Sequence, residues 1–347
     1  MSGPSLTPTN HASTRMRVIR RGGTLVMTWI LMLLLLPWNC AKAPKTYRVG
    51  ILSGLDFFLE TEKGFRQKLS ELGYKEGTDI VYELHRTNFD PEVEREVLQR
   101  YCEEKVDLIF AFPTEVAVQA KQVARSSGIP VVFANAIVEG AGIVENIREP
   151  GGDITGVRFP GPDIAVKRLE ILRTILPHAT RILIPYQRGY PTIESQMEML
   201  RPVAESVGIT FTFIAAQHAE DLSDQLAALT DGGNISVQAI LIIPEPLLVS
   251  NEGFAVISAF AARHRIPIGG ALSIGDERVS LFGVAIDNAA VGRQAAVLAD
   301  KIFHGVPAGT IPVVSAEAYI QVDVLAARQF GVEIPNGLLK QADAILR

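Results

Sequence analysis

The sequence predicts an α/β protein of two doubly wound parallel-sheet lobes, joined by a multi-crossover hinge with a ligand cleft between them. Three observations predict it. Short apolar runs alternate with helical segments along the chain, as parallel sheets covered by helices on both faces require. The pattern then repeats at a nearly constant offset: Gly73 and Gly208 stand 135 apart, Pro130 and Pro267 137, Val49 and Ile182 133. Finally, the chain has 347 residues, 48% of them hydrophobic and 20% charged, enough for two ordinary globular units.

The elements follow in order. "RVGILS" reads as a buried strand. Phe65, Leu69 and Leu72 mark one helix face, which Gly73 ends. "DIVYEL" is the next strand, and Asp90-Pro91 caps a helix with Val93, Val97, Leu98 and Tyr101 inward. "VDLIFAF", "EVAVQAKQVARSSG" and "IPVVFA" read as strand, helix and strand. The second copy begins at "RILIPY". A helix with Met197, Leu200, Ala204 and Val207 follows, then "ITFTFIA", a helix with Leu222, Leu226 and Leu229, "QAILIIP" and "RIPIGG". "SLFGVAID" adds a strand, and Val291, Ala295, Leu298 and Ile302 mark another helix. A further strand and two short helices close the chain.

Between the copies, "REPGGDITGVRFPG" sets a short strand between two breaker clusters. Gly152, Thr155 and Gly156 are the expected hinge, where glycine torsions absorb a rotation between lobes. The expected first lobe is residues 44–155 plus about 286–308. The second is 156–285 plus about 309–347, so the chain crosses about three times.

Residues 1–43 read as an export segment. Arg15, Arg17, Arg20 and Arg21 precede an apolar run from Leu25 to Trp38, about 14 residues, shorter than a membrane-spanning helix. Processing at Cys40, with acylation of that cysteine, and cleavage after Ala41-Lys42-Ala43 both deliver a protein outside the cytoplasm: a periplasmic or cell-envelope location. Residues 1–39 hold four arginines and no acid, so the remainder has 29 basic against 38 acidic residues, a balance of −9. That balance argues against nucleic acid as a partner. The only other cysteine is Cys102, so a structural disulfide is not expected.

Ligands of doubly wound sheets sit beyond the C-terminal strand ends, which nominates the site. Ser53, Asp56 and Phe57 follow the first strand: a ring to stack and a carboxylate to meet an amine. Thr114 opens a helix, where its hydroxyl serves either as a cap or as a ligand contact. The first amides of that helix favour an anion such as a carboxylate. Asn135, Tyr186, Glu245 and Asp287 end later strands. The six histidines show no metal-ligand spacing, and no phosphate-cradling, dinucleotide, nucleophile-elbow or zinc-protease motif occurs. No enzyme, metal or cofactor is expected.

Several blocks carry a resemblance: "GFRQKLSELGYKEGTDI", "KVDLIFAFPTEVAVQAK", "GIPVVFANAIVEGAGIVENIREPGGDITGV" and "KRLEILRTILPHATRILI", with "VGRQAAVLADKIFHGVPAGTIPV" later. Over residues 47–347 the chain resembles the ABC-transporter substrate-binding proteins of the tryptophan/tyrosine type. The resemblance implies a first-type periplasmic-binding fold with three crossovers. It also implies a monomer that delivers a small solute, aromatic amino acids featuring, to a permease driven by an ATPase. A ligand sensor reporting to a membrane receptor would carry the same clamp. Two positions depart from the family pattern: Asn135-Ala136-Ile137 stands where members often have Asp-Pro, and Glu245 where they often have Asp.

Overall fold

A computed structural model of the chain describes residues 45–230, 235–272 and 279–347. The first lobe is built from β1 (Tyr47–Ser53), α1 (Leu59–Glu71), β2 (Ile80–Arg86), α2 (Pro91–Glu103), β3 (Leu108–Phe112), α3 (Thr114–Ala124), β4 (Val131–Ala136) and β5 (Ile154–Arg158). The second runs through α4 (Gly161–Ile175), β6 (Arg181–Gln187), α5 (Ile193–Ser206), β7 (Thr210–Ala216), α6 (Ala219–Ala228), β8 (Ala239–Leu241), α7 (Pro246–Val249), α8 (Asn251–His264), β9 (Ile268–Gly270) and β10 (Ser280–Ile286). Then come α9 (Asn288–Phe303), β11 (Val314–Ser315), β12 (Ala318–Asp323), α10 (Val324–Gln329), α11 (Asn336–Leu339) and β13 (Ala344–Leu346).

The duplication read from the offsets is visible in the sheets. The first has order β11-β5-β4-β3-β1-β2, the second β13-β12-β10-β9-β8-β6-β7. Thus β5-β4-β3-β1-β2 and β10-β9-β8-β6-β7 occupy matching places. Strand order reverses between β1 and β3 in one lobe and between β6 and β8 in the other. These are the switch points where loops part and a ligand can enter.

Alternate residues of the buried strands feed opposite faces, as the pleat requires. In β3, Leu108, Phe110 and Phe112 join one core with Phe65, Leu69 and Val291, while Ile109 and Ala111 join the other with Leu98, Tyr101 and Val116. In the second lobe Leu241 packs with Leu172, Met197 and Leu200, and Ile240 with Leu222, Leu226 and Ile257. Asp90 caps α2 by accepting from the amides of Glu92 and Val93, with Pro91 at the first helical position. Leu72 and Val93, expected on inner faces, are exposed instead: Leu72 follows the last residue of α1 and Val93 lies in the first turn of α2.

The chain crosses between sheets three times: at Phe159–Pro160, at Asp287 and at Ala316–Glu317. All three crossings lie together. Ala316 N–H donates to the Arg158 carbonyl at 2.9 Å, and Ile286 pairs with Ala318. The third crossing explains an antiparallel strand that alternation alone does not predict. The chain re-enters the second sheet at the end where β10 finishes, so β12 has to run back along it.

The second crossing is fixed by α9 docking on α1. A Cβ on Gly292 would stand 1.9 Å from the Thr61 carbonyl oxygen, and one on Gly64 2.1 Å from that of Ala289. The two backbones therefore touch where both helices lack a side chain.

The residues expected as the hinge, Gly152, Thr155 and Gly156, lie in β5 of the first sheet or just before it. Ile154, Thr155 and Gly156 pair in register with Val131, Val132 and Phe133, inside the first sheet. Thr155 Oγ1 donates to the Ile311 carbonyl at 2.7 Å, and a Cβ on Gly156 would lie 2.3 Å from the Phe133 carbonyl oxygen. Gly151 and Gly152, with φ of 76° and 55°, turn at the end of β5 remote from the crossing. By sheet membership the first crossing comes at 159–160, beside the expected 155–156. The last comes at 316–317, after the expected 308–309, since β11 still pairs with β5.

Candidate ligand-binding site

The two switch points bring different chemistry to the cleft. In the first lobe β3 ends at Phe112-Pro113, and α3 starts at Thr114 without a side-chain cap. The Thr114 hydroxyl does not cap its own helix. It accepts from the Ile137 amide at 3.1 Å, tying the end of β4 to the start of α3. Thr114 is buried.

Asn135 stands in β4 beside this contact, buried and with a φ of 52°. Left-handed backbone is unfavourable for a side chain with a Cβ, though asparagine tolerates it best. It coincides with a register shift between Phe133 and Ala136. The twist aims Asn135 Nδ2 at Thr61 Oγ1 of α1, 2.7 Å away. Its Oδ1 is buried and finds no partner among the described residues.

Glu115 follows Thr114 in the first turn of α3. Burial raises its pKa. Its Oε2 also lacks a partner among the described residues. The contact it does make comes from the other lobe: the Tyr190 hydroxyl, carried on the loop after β6, interacts with Thr114 and Glu115. Burial and the nearby Glu115 carboxylate push the Tyr190 hydroxyl pKa up.

In the second lobe the switch point is closed by its own carboxylate. Glu245 is buried and caps α7, accepting from Leu247 N at 2.9 Å and Leu248 N at 2.7 Å. It also accepts from Gln187 N at 3.0 Å, which ties β6 to the end of β8. Burial pushes its pKa up to about 7, against three amides that favour the charged form. Beside it Gln196 of α5 is fully buried and donates Nε2 to the Pro244 carbonyl at 2.8 Å. Its Oε1 has no partner among the described residues.

The remaining sequence-nominated residues fall on the periphery. Ser53 is buried at the end of β1, where its hydroxyl donates to the Leu55 carbonyl at 3.0 Å and shapes the turn. Asp56 pairs with Arg86 at 3.0 Å, so a cation of the protein already meets its charge. Phe57 is 61% exposed and packs edge-on against Phe58, which lies over the core. Tyr186 packs on the second-lobe core and edge-on against Phe213. Asp287 caps α9 through the amides of Ala289 and Ala290. It stands at the second crossing. Cys40 lies outside the described residues.

Sequence reading missed Glu115, Tyr190 and Gln196. The repeat offset of 133 that pairs Val49 with Ile182 also pairs Phe57 with Tyr190, so the signal for Tyr190 was present. Glu115 reads in sequence as an acid complementing a helix N-terminus. Nothing local marks Gln196.

Two cavities, of about 260 and 350 Å³, lie elsewhere. One borders Arg48, Tyr82 and Val106; the other borders Arg125, Glu145 and Gly152 at the N-terminal ends of β4 and β5. Neither adjoins a switch point.

A family model described as "ABC transporter substrate binding protein" matches residues 50–346. A curated relative, the tyrosine-binding protein of Clostridioides difficile, is 27% identical over 275 residues, 77% of this chain and 76% of that protein. Among solved structures, an ABC domain in complex with L-Trp from Streptococcus pneumonia superimposes with a TM-score of 0.75 at 20% identity, covering 87% of this chain and 100% of that one. A ligand-free, open substrate-binding protein with adhesive properties from Clostridium difficile gives 0.69 at 22% identity, over 87% and 99%. These solved structures share its fold.

Proposed function

Since the chain belongs to the family of ABC transporter substrate-binding proteins, we propose that its inter-lobe cleft clamps an amino acid of aromatic type and presents it to an ABC permease. The family captures solutes for ABC transporters and works outside the cytoplasm. The ligand class is supported by the relatives: one is a tyrosine-binding protein and one structure holds L-Trp.

One observation carries the location. Tyr190 of the second lobe meets Thr114 and Glu115 of the first, and this contact joins the two strand-end surfaces. Rotation about the three adjacent crossings would make and break it, so the lobes open to admit the solute and close over it. Thr114 and Asn135 line the first face. Ser53 and Phe57 stand at its rim, and Tyr186, Glu245 and Asp287 support the second face and a crossing. Acylation at Cys40 would hold the monomer at the membrane beside its permease, whose ATPase drives transport.

A thermal-shift titration tests the reading. L-tyrosine or L-tryptophan at about 100 times its dissociation constant should add roughly 2.7 kcal/mol and move the unfolding midpoint visibly. An unmoved midpoint with both, at millimolar concentration, would remove the aromatic assignment.

A further inference from the structure

The first crossing carries an ionic contact that the solute site does not use. Arg158 is the last residue of β5, and its guanidinium reaches two carboxylates. One nitrogen pairs with Glu139, on the first-lobe loop after β4. Another donates to Asp163, in the first turn of α4, at 3.0 Å. Phe159–Pro160, where the chain passes between the sheets, lies between Arg158 and Asp163.

The two ends of this contact belong to different lobes. The Arg158 backbone is fixed in the first: it pairs with Ala136 of β4 and Ser315 of β11, and its carbonyl accepts from Ala316. Asp163 is carried by α4, whose Ile164, Ala165 and Leu169 pack in the second-lobe core. A first-turn acid complements a helix N-terminus wherever it stands. What is particular here is that its cation comes from the other lobe. The Arg158 side chain is only 17% exposed, so water screens this pair less than it screens a fully exposed one.

The contact also adjoins the first-lobe face of the cleft. A Cβ on Gly161, the first residue of α4, would stand 2.7 Å from Ile137 Cδ1. The Ile137 amide donates to Thr114 Oγ1. The start of α4 therefore packs on the loop that Thr114 holds. The Arg158–Asp163 pair is present in an arrangement where Tyr190 reaches Thr114 and Glu115 across the lobes.

We infer that Arg158 is a positioning residue for solute capture, an ionic latch across the first crossing. Anchored by Glu139 in the first lobe, it grips Asp163 of the second and favours the arrangement in which the lobes meet. Rotation at Phe159 and Pro160 parts the pair, so opening the lobes costs this contact. Apparent affinity scales with the fraction of molecules in the binding arrangement, so the latch tightens binding without touching the solute. The inference rests on reading the cleft as the solute site, but on no feature of the solute.

Stopped-flow binding of L-tyrosine and L-tryptophan tests it, with three variants of α4. Asp163→Asn removes the grip, and Asp163→Glu keeps its charge. Glu170→Gln removes an equal charge from the same helix, from a pair with Lys167 that stays inside the second lobe. Asp163→Asn should speed solute release about 3- to 10-fold and leave the association rate within about twofold. Raising salt from about 50 mM to about 500 mM should bring the parent toward the variant and move the variant little. Asp163→Glu should bring release back toward the parent rate, and Glu170→Gln should match the parent.

If Asp163→Asn releases the solute as the parent does, or Glu170→Gln speeds release as much, the latch falls and solute capture stands. If neither amino acid binds the parent, the aromatic reading falls, and small-angle scattering of the solute-free chains decides the latch. A larger radius of gyration for Asp163→Asn than for the parent keeps it; equal radii overturn it.

Discussion

The two lobes carry the same strand order but opposite uses of the residue that follows the switch-point strand. "DLIFAFPT" and "QAILIIPE" align at an offset of 131, which places Thr114 and Glu245 at equivalent positions, each after a proline. In the second lobe the position holds a carboxylate, and three backbone amides take up its oxygens. In the first the hydroxyl takes one amide, and the neighbouring Glu115 and Asn135 keep unmet acceptors. Duplication of topology fixes where a ligand can approach. The side chains at the strand ends decide how that position ties its own loops, through a carboxylate that takes three amides at Glu245 and through a hydroxyl that takes one at Thr114.

The sharpest way to break this comparison is Glu245→Ala. It leaves the Gln187, Leu247 and Leu248 amides without their acceptor, and stability should fall by about 2–4 kcal/mol at pH 5 in urea unfolding. The loss depends on pH. Folding raises this pKa from 4.5 to about 7, so the folded state binds the proton more tightly. The group's favourable contribution is full below about 4.5 and lost as pH rises through about 7, a span of roughly 3 kcal/mol. The cost of Glu245→Ala should therefore shrink by roughly 1–3 kcal/mol between pH 5 and pH 8. A cost independent of pH would mean that the carboxylate is charged throughout.

At the equivalent position, Thr114→Ala leaves one buried amide, that of Ile137, and should cost about 1–2 kcal/mol. Solute binding should weaken as well, because the ends of β4 and α3 lose their tie. Thr114→Ser should restore both. Equal restoration of stability without binding would give the Thr114 methyl a direct part in the site.

Tyr190→Phe keeps the ring and removes the hydroxyl that meets Thr114 and Glu115. Affinity should drop about 3- to 10-fold, with stability changed by less than about 1 kcal/mol. Calorimetry beside thermal unfolding separates the two. Smallest in its effect on binding, Gly152→Ala strains a left-handed turn and should cost about 1 kcal/mol of stability, with solute affinity unmoved because the turn is remote from the crossings. A changed affinity there would support the expected hinge role of Gly152.

Much of this architecture is legible in the sequence, for reasons that differ by residue. Buried parallel strands are apolar throughout, so "LIFAF" and "AILII" announce themselves, and the offsets expose the repeat. Boundaries are less legible. Gly152, Thr155 and Gly156 read as a hinge because breaker clusters flank their strand, but only pairing with β4 shows that the strand belongs to one sheet. The site divides the same way. Thr114, Asn135 and Glu245 are found by a rule about strand ends. Whether an oxygen is satisfied depends on a partner brought by another element, as Gln187 is to Glu245 and Tyr190 is to Glu115. That information is tertiary and leaves no local pattern.

Hydrogen–deuterium exchange, with and without saturating L-tyrosine or L-tryptophan, tests the central claim most directly. The account expects protection at both switch points, over residues 112–116, 135–138, 186–193 and 243–248, and unchanged exchange around the cavity bordered by Arg125, Glu145 and Gly152. Protection confined to that cavity, with the strand ends unchanged, would contradict a solute held between the lobes.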